Sequence, residues 1–151
     1  MLSSRAKYAT RALLELALHP NEAVHIQEIA ERQNISVKFL EQILLALKRA
    51  GYVQSRKGPG GGYSLAKPAR NITLGAVVRT MDGPIAPISC VSATGYMECG
   101  CPEPETCGLR SVWQQARDAL AAVLDKTTFA DIVERHRNGT TERGHILDYV
   151  I

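Results

Sequence analysis

The sequence predicts a mainly α-helical fold with a small β-wing: a winged helix-turn-helix, followed by a cysteine-rich loop and a long dimerisation helix. Three observations predict it. Segments with a helical apolar period fill most of residues 4–50, and the second and third are separated by only a few residues around Asn34, as a helix-turn-helix requires. The period then switches to alternation on either side of "KGPGGG", two short strands around a glycine-rich tip. Beyond the cysteines, Leu109, Val112, Trp113, Ala116, Leu120 and Val123 repeat at close to 3.5 residues. That stripe is wider than a lone surface helix needs.

Taken in order, residues 4–18 place Tyr8, Ala12, Leu13, Leu16 and Ala17 on one helical face, and His19, Pro20 and Asn21 end the run. "VHIQEIAERQN" makes a short amphipathic helix on Ile26, Ile29 and Ala30. The third helix starts after Ser36, a good N-cap, and stops at Gly51, a good residue just past a helix end. Its buried stripe is Leu40, Ile43, Leu44 and Leu47, opposite Lys38, Glu41, Gln42, Leu45 and Lys48. "YVQSR" and "YSLAK" form the hairpin. "PARNITLGAVVRTMDG" returns to a helix, capped by Asn71 or Thr73 and closed at Gly83. "LRSVWQQARDALAAVLDK" carries the long stripe, and "TFADIVERHR" makes a short last helix capped by Thr128. The division expected is 1–83, a winged helix-turn-helix; 84–108, a sensor loop; 109–136, the dimerisation helix and a short C-terminal helix; and 137–151, a polar tail with no assigned element.

Charge narrows the partners. Residues 1–70 hold 11 Lys+Arg and 5 Asp+Glu, whereas the remainder holds 7 and 10. A basic first half joined to a mildly acidic second half suits contact between the first half and a polyanion. The first apolar run is cut by Arg5, Lys7, Arg11 and Glu15, so it reads as neither a signal segment nor a membrane span. A cytoplasmic protein without a membrane partner is the expectation. No nucleophile–base constellation, paired carboxylates or nucleotide motif stands out, so an enzyme is not expected.

In a winged helix-turn-helix the third helix enters the major groove of double-stranded DNA, with its first residues reaching base edges. Ser36, Lys38, Glu41 and Gln42 lie near that end, off the buried stripe. Gln pairs with adenine, Glu accepts from cytosine N4, and Lys serves guanine or phosphate. Arg56 and Lys57 precede a tip that includes Gly60 and Gly61, and a cation-flanked tip with almost no side chains can press against a phosphate backbone or into the minor groove. The competing readings are a plain surface helix and a ligand-free glycine turn. A phosphate-binding loop fails because no Lys-Ser/Thr follows the glycines.

All four cysteines fall in one stretch, Cys90-x8-Cys99-x-Cys101-x5-Cys107. Zinc knots use two C-x(2–4)-C pairs, which this is not, and disulfides are disfavoured in the cytosol. An iron–sulfur cluster needs thiolates converging from a loop, and Gly95, Gly100 and Gly108 leave room for the sulfurs. A metal-free thiol switch and a loop that senses nothing remain beside it.

"KYATRALLELA", "FLEQILLALKRAGYVQSRKGPGGGYSLAK" and "ITLGAVVRTMDG", followed by the cysteine loop and the long helix, resemble the Rrf-two family of bacterial regulators over about residues 1–136. The resemblance implies a homodimer on palindromic promoter DNA, joined through the helix that carries Leu109, Val112, Trp113, Ala116, Leu120 and Val123. It places Ser36, Glu41 and Gln42 at base or backbone contacts, and Lys57 where a family member inserts an arginine into the minor groove. Family members that bind a cluster use three cysteines here, the last two five residues apart. Cys101 and Cys107 match that spacing and Cys90 matches the first, so the resemblance implies a promoter affinity controlled by an iron–sulfur cluster, [2Fe–2S] with [4Fe–4S] as the alternative. The family's fourth ligand is a histidine three residues past the last cysteine, where this chain has Arg110. His19, His25, His136 and His145 are remote, so Cys99 or a residue of the partner's first helix is left as the fourth ligand, and Lys7 makes that helix a poor source. The alternatives are a cluster-free thiol regulator and an iron–sulfur assembly module that binds no DNA.

Overall fold

The computed structural model describes the backbone of residues 2–148 and the side chains of residues 2–139. Three helices come first: α1 (Ser4–Leu18), α2 (Ile26–Gln33) and α3 (Val37–Arg49). A two-stranded antiparallel wing follows, β1 (Val53–Arg56) and β2 (Gly62–Leu65), then α4 (Leu74–Asp82), α5 (Gly108–Lys126) and α6 (Phe129–Asp148). The order and type of the expected elements are those observed. Among the described residues no helix is long and apolar enough to cross a membrane.

α1 is the central pillar, packed against α2, α3, α4, α6 and β2. Ala6, Ala9 and Ala12 are fully buried, and their small side chains let neighbouring backbones approach. Ser3 caps the helix by accepting from the Ala6 N–H at 3.1 Å. The turn between α2 and α3 is short because Asn34 adopts φ 50°, a left-handed conformation that Asn tolerates, and Ile35 then tucks inward. Leu40, Ile43, Leu44 and Leu47 of α3 are all fully buried, as their spacing predicts.

The wing pairs Val53 with Leu65 and Arg56 with Gly62, and an isolated bridge from Val24 to Tyr63 fastens its outer edge to the segment before α2. Thr73, not Asn71, caps α4, accepting from the Ala76 N–H at 3.3 Å; Asn71 belongs to a preceding single 3₁₀ turn.

The C-terminal region departs from expectation. Instead of stopping within ten residues, α6 runs on to Asp148. Residues 138–148 contain no proline to end it, and its glycines cost only about 1 kcal/mol each. The missing apolar period hid this continuation, since residues 134–139 are all exposed. Thr128 does cap α6, and the Asp131 carboxylate reaches back to the Thr128 N–H at 2.8 Å, a reciprocal cap. Phe129 is fully buried in the core built by α1–α4, held by its N–H donating to Ile72 O and by the Leu74 N–H donating to Thr127 O. The chain therefore returns to the first domain after α5. Residues 149–151, the end of the tail, lie outside the described residues, as does the side chain of His145.

Candidate nucleic-acid interface and cysteine loop

Ser36, Lys38, Glu41 and Gln42 are all exposed at the start of α3. Ser36 is also the N-cap, its hydroxyl accepting from the Phe39 N–H at 3.3 Å, which leaves the O–H able to donate outward. The helix is anchored beneath. Phe39 meets Tyr8 of α1 edge to face, with ring centroids 5.9 Å apart, and the Arg11 guanidinium sits 5.4 Å from the Tyr8 ring.

A polar clamp that sequence reasoning missed joins α1 to α2. Glu15 is 5% exposed, and its carboxylate accepts from Arg32 Nη1 at 2.6 Å and Gln33 Nε2 at 3.0 Å. Arg11 donates to the Gln33 side-chain oxygen at 2.8 Å and to its carbonyl at 2.7 Å. The Glu15 hydrogen bond raises the Arg32 pKa above its ordinary value. Every member finds a partner, which is the condition for burying a carboxylate. The available signal was Glu15 itself, a carboxylate inside the apolar stripe of α1.

On the wing, Arg56, Lys57 and Gly60 are exposed, whereas Gly61 is buried. Gly60 requires φ 69°, and a Cβ on Gly61 would strike the Arg56 carbonyl and come within 2.7 Å of the Gly58 carbonyl. Glycine is therefore required at both positions, and Pro59 is the one side chain between Lys57 and Tyr63. Lys48 Nζ donates to Ser55 Oγ at 2.5 Å, tying the end of α3 to β1.

The cysteine loop opens with a 3₁₀ turn, Ser89–Val91, that buries Cys90. Cys99 and Cys107 are half-buried and Cys101 is exposed; all four are free thiols. Cys90, Cys99 and Cys101 influence one another's protonation. Interaction with Cys101, and then with Cys90, lowers the Cys99 pKa. Cys90 is pushed up, first by burial and then by interaction with Cys99, and Cys101 is pushed up by interaction with Cys99. Cys107 enters only through a longer electrostatic interaction with Cys101. Among the described residues no group of three or more His, Cys, Asp or Glu is arranged to hold a metal ion. The donor chemistry suits iron, because soft thiolates on a glycine-broken loop are what a cluster takes. Arg110 lies close enough to Cys90 to favour its thiolate electrostatically.

The loop is tied to the helices on both sides. Arg117 Nη1 of α5 donates to the carbonyl of Val91, next to Cys90. Arg79 of α4 makes a two-pronged pair with Asp125 of α5, which holds that carboxyl below its usual range. Tyr52, at the root of the wing, shares a hydrogen bond with Thr80 of α4 at 3.2 Å.

α5 itself buries none of its residues. Leu109 is 72%, Val112 61%, Trp113 41%, Leu120 46% and Val123 61% exposed, with Ala116 exposed between them.

Residues 2–135 match the Rrf2 (Rrf-two) family, described as an iron-dependent transcriptional regulator. An rrf2-like HTH-type transcriptional regulator of Rhodobacter capsulatus is 39% identical over 138 residues, 88% of this chain and 92% of the relative. Among solved structures, CymR, the global cysteine regulator of B. subtilis, superimposes with a TM-score of 0.76 at 32% identity, over 89% of this chain and 97% of its own. IscR of T. potens does so with a TM-score of 0.71 at 30% identity, over 90% and 88%. The mainly helical architecture with its two-stranded wing is that of these winged-helix regulators. The chain belongs to the Rrf2 family of transcriptional regulators.

Proposed function

We propose that the protein is a homodimeric regulator that binds palindromic promoter DNA through α3 and the wing, and whose affinity follows an iron–sulfur cluster held in the 84–108 loop. The observation that carries this reading is the gathering of the thiols on a segment hydrogen-bonded to α5, the helix with an uncovered heptad stripe. Cys90, Cys101 and Cys107 would hold the cluster, with Cys99 the candidate fourth ligand. When bound, the cluster supplies a redox- and iron-sensitive centre that forms, changes charge or is lost. The rest falls to the chain. Cys90 moves with Val91, whose carbonyl holds Arg117. The Arg79–Asp125 pair carries α5 against α4, and Tyr52–Thr80 joins α4 to the wing. A change of loop geometry thus has packed elements through which to alter half-site spacing, provided the two states differ in DNA affinity.

A second reading, a thiol switch without metal, is favoured by the C-x-C pair Cys99 and Cys101 with its lowered Cys99 pKa, and by the likeness to CymR, a global cysteine regulator. Protein purified without oxygen separates the two. Colour with iron and sulfide in equal amount, lost in Cys101→Ser, supports the cluster. Colourless, iron-free protein that ferrous iron and sulfide fail to reconstitute sinks it. DNA affinity that falls with diamide and returns with dithiothreitol would then establish the switch.

A further inference from the structure

Ser36, Lys38, Glu41 and Gln42 are the polar residues expected to read DNA, and the exposed face of α3 holds a large apolar side chain among them. Leu45 is 48% exposed and belongs neither to the buried core nor to the residues packed against it. Single exposed leucines are ordinary; the position of this one is not. Lys38, Glu41, Gln42 and Leu45 stand at i, i+3, i+4 and i+7 of one helix face, the spacing with which a homeodomain recognition helix meets successive base edges. The core face, Leu40, Ile43, Leu44 and Leu47, lies on the opposite side. Leu45 sits about 4.5 Å beyond Gln42 along the helix axis, so a helix that lowers Gln42 into the groove brings Leu45 to its floor or wall.

The chemistry of a leucine there is restrictive. It has no donor or acceptor, and the largest apolar feature displayed in the major groove is the thymine C5-methyl. A leucine beside guanine or adenine would desolvate their acceptors without replacing the lost hydrogen bonds.

We propose that Leu45 is a fourth base-reading residue of α3, selecting thymine in each half-site through its C5-methyl group. The inference rests on the DNA-binding reading above and names a determinant of its specificity. Burying one methyl is worth about 0.8 kcal/mol, close to a four-fold change in affinity.

The test starts with operator duplexes selected from a random pool by the full-length protein. Each thymine of one half-site is then replaced in turn by deoxyuridine, which deletes only the methyl. One thymine is expected at which the replacement weakens binding about four-fold. In Leu45→Ala that position tolerates deoxyuridine while the other thymines respond as before, and the thermal midpoint changes little because the side chain is half exposed and lies outside the core. Leu45→Gln, whose amide pairs with adenine, is expected to move the preference at that same position away from thymine. Deoxyuridine tolerated at every thymine, or a sensitivity that survives both substitutions, overturns the inference and leaves DNA binding standing. A pool from which no sequence is enriched overturns DNA reading by α3 itself, and this inference with it.

Discussion

Leu120→Asp should turn the protein into a monomer. In the single chain Leu120 is 46% exposed, so roughly half of the ~1.5–3 kcal/mol available from burying a leucine remains to be gained at an interface. A twofold interface counts the residue twice, which sets the lost contact at about 1.5–3 kcal/mol per dimer. The aspartate adds a second cost, because each carboxylate would be buried in an apolar seam without a partner, at no less than the about 1–3 kcal/mol of an unpartnered neutral polar group. The smallest combination, about 3.5 kcal/mol, raises the dissociation constant by about two and a half orders of magnitude. Sedimentation velocity at micromolar concentration reads this directly, with thermal unfolding by circular dichroism as the check on folding. Leu45→Asp is the control: that leucine is equally exposed, at 48%, but lies on α3, and its replacement should leave the sedimentation coefficient unchanged. A wild-type monomer, or a Leu120→Asp protein that sediments as the wild-type dimer does, would refute the assignment of the α5 stripe.

Other consequences are checked as simply. Glu41→Ala is expected to relax preference at one base pair by about 1–3 kcal/mol in competition binding, whereas Lys57→Ala weakens all sequences and flattens the salt slope by about one unit. Phe129→Ala should cost about 3–5 kcal/mol in urea unfolding, since its ring is fully buried where α6 returns to the core. Asp125 has its pKa lowered by Arg79, so its contribution is present above the ordinary carboxylate range and disappears as pH falls through the depressed value. Both side chains are about a third or more exposed, so Asp125→Asn should cost no more than about 1 kcal/mol at neutral pH and make the acid limb of a stability–pH curve shallower. Cys99→Ser should bleach or shift the visible spectrum if that thiol is a cluster ligand, because oxygen is a poorer partner for cluster iron.

Local chemistry decided much of this molecule. The 3.6-residue period placed α1, α2, α3 and α4, Ser36 and Gly51 bounded α3, and the glycines of the tip demanded a hairpin, because each of these signals acts within a few residues. The exposed α5 stripe was equally legible, since a heptad repeat is a property of one helix. What remained hidden depended on partners distant in sequence. Glu15 could be buried only because Arg32 and Gln33 stand beside it, and nothing in α1 alone announces them. The length of α6 escaped because residues 134–139 are exposed and the sequence beyond them lacks an apolar period. Phe129 joined the first domain through hydrogen bonds to residues more than fifty positions earlier. Spacing and resemblance put Cys90, Cys101 and Cys107 first and left Cys99 as a candidate fourth ligand. Only folding of the loop buried Cys90 in a turn while leaving Cys99 and Cys107 half-buried and Cys101 exposed, and burial, not spacing, is what pushes the Cys90 thiol up.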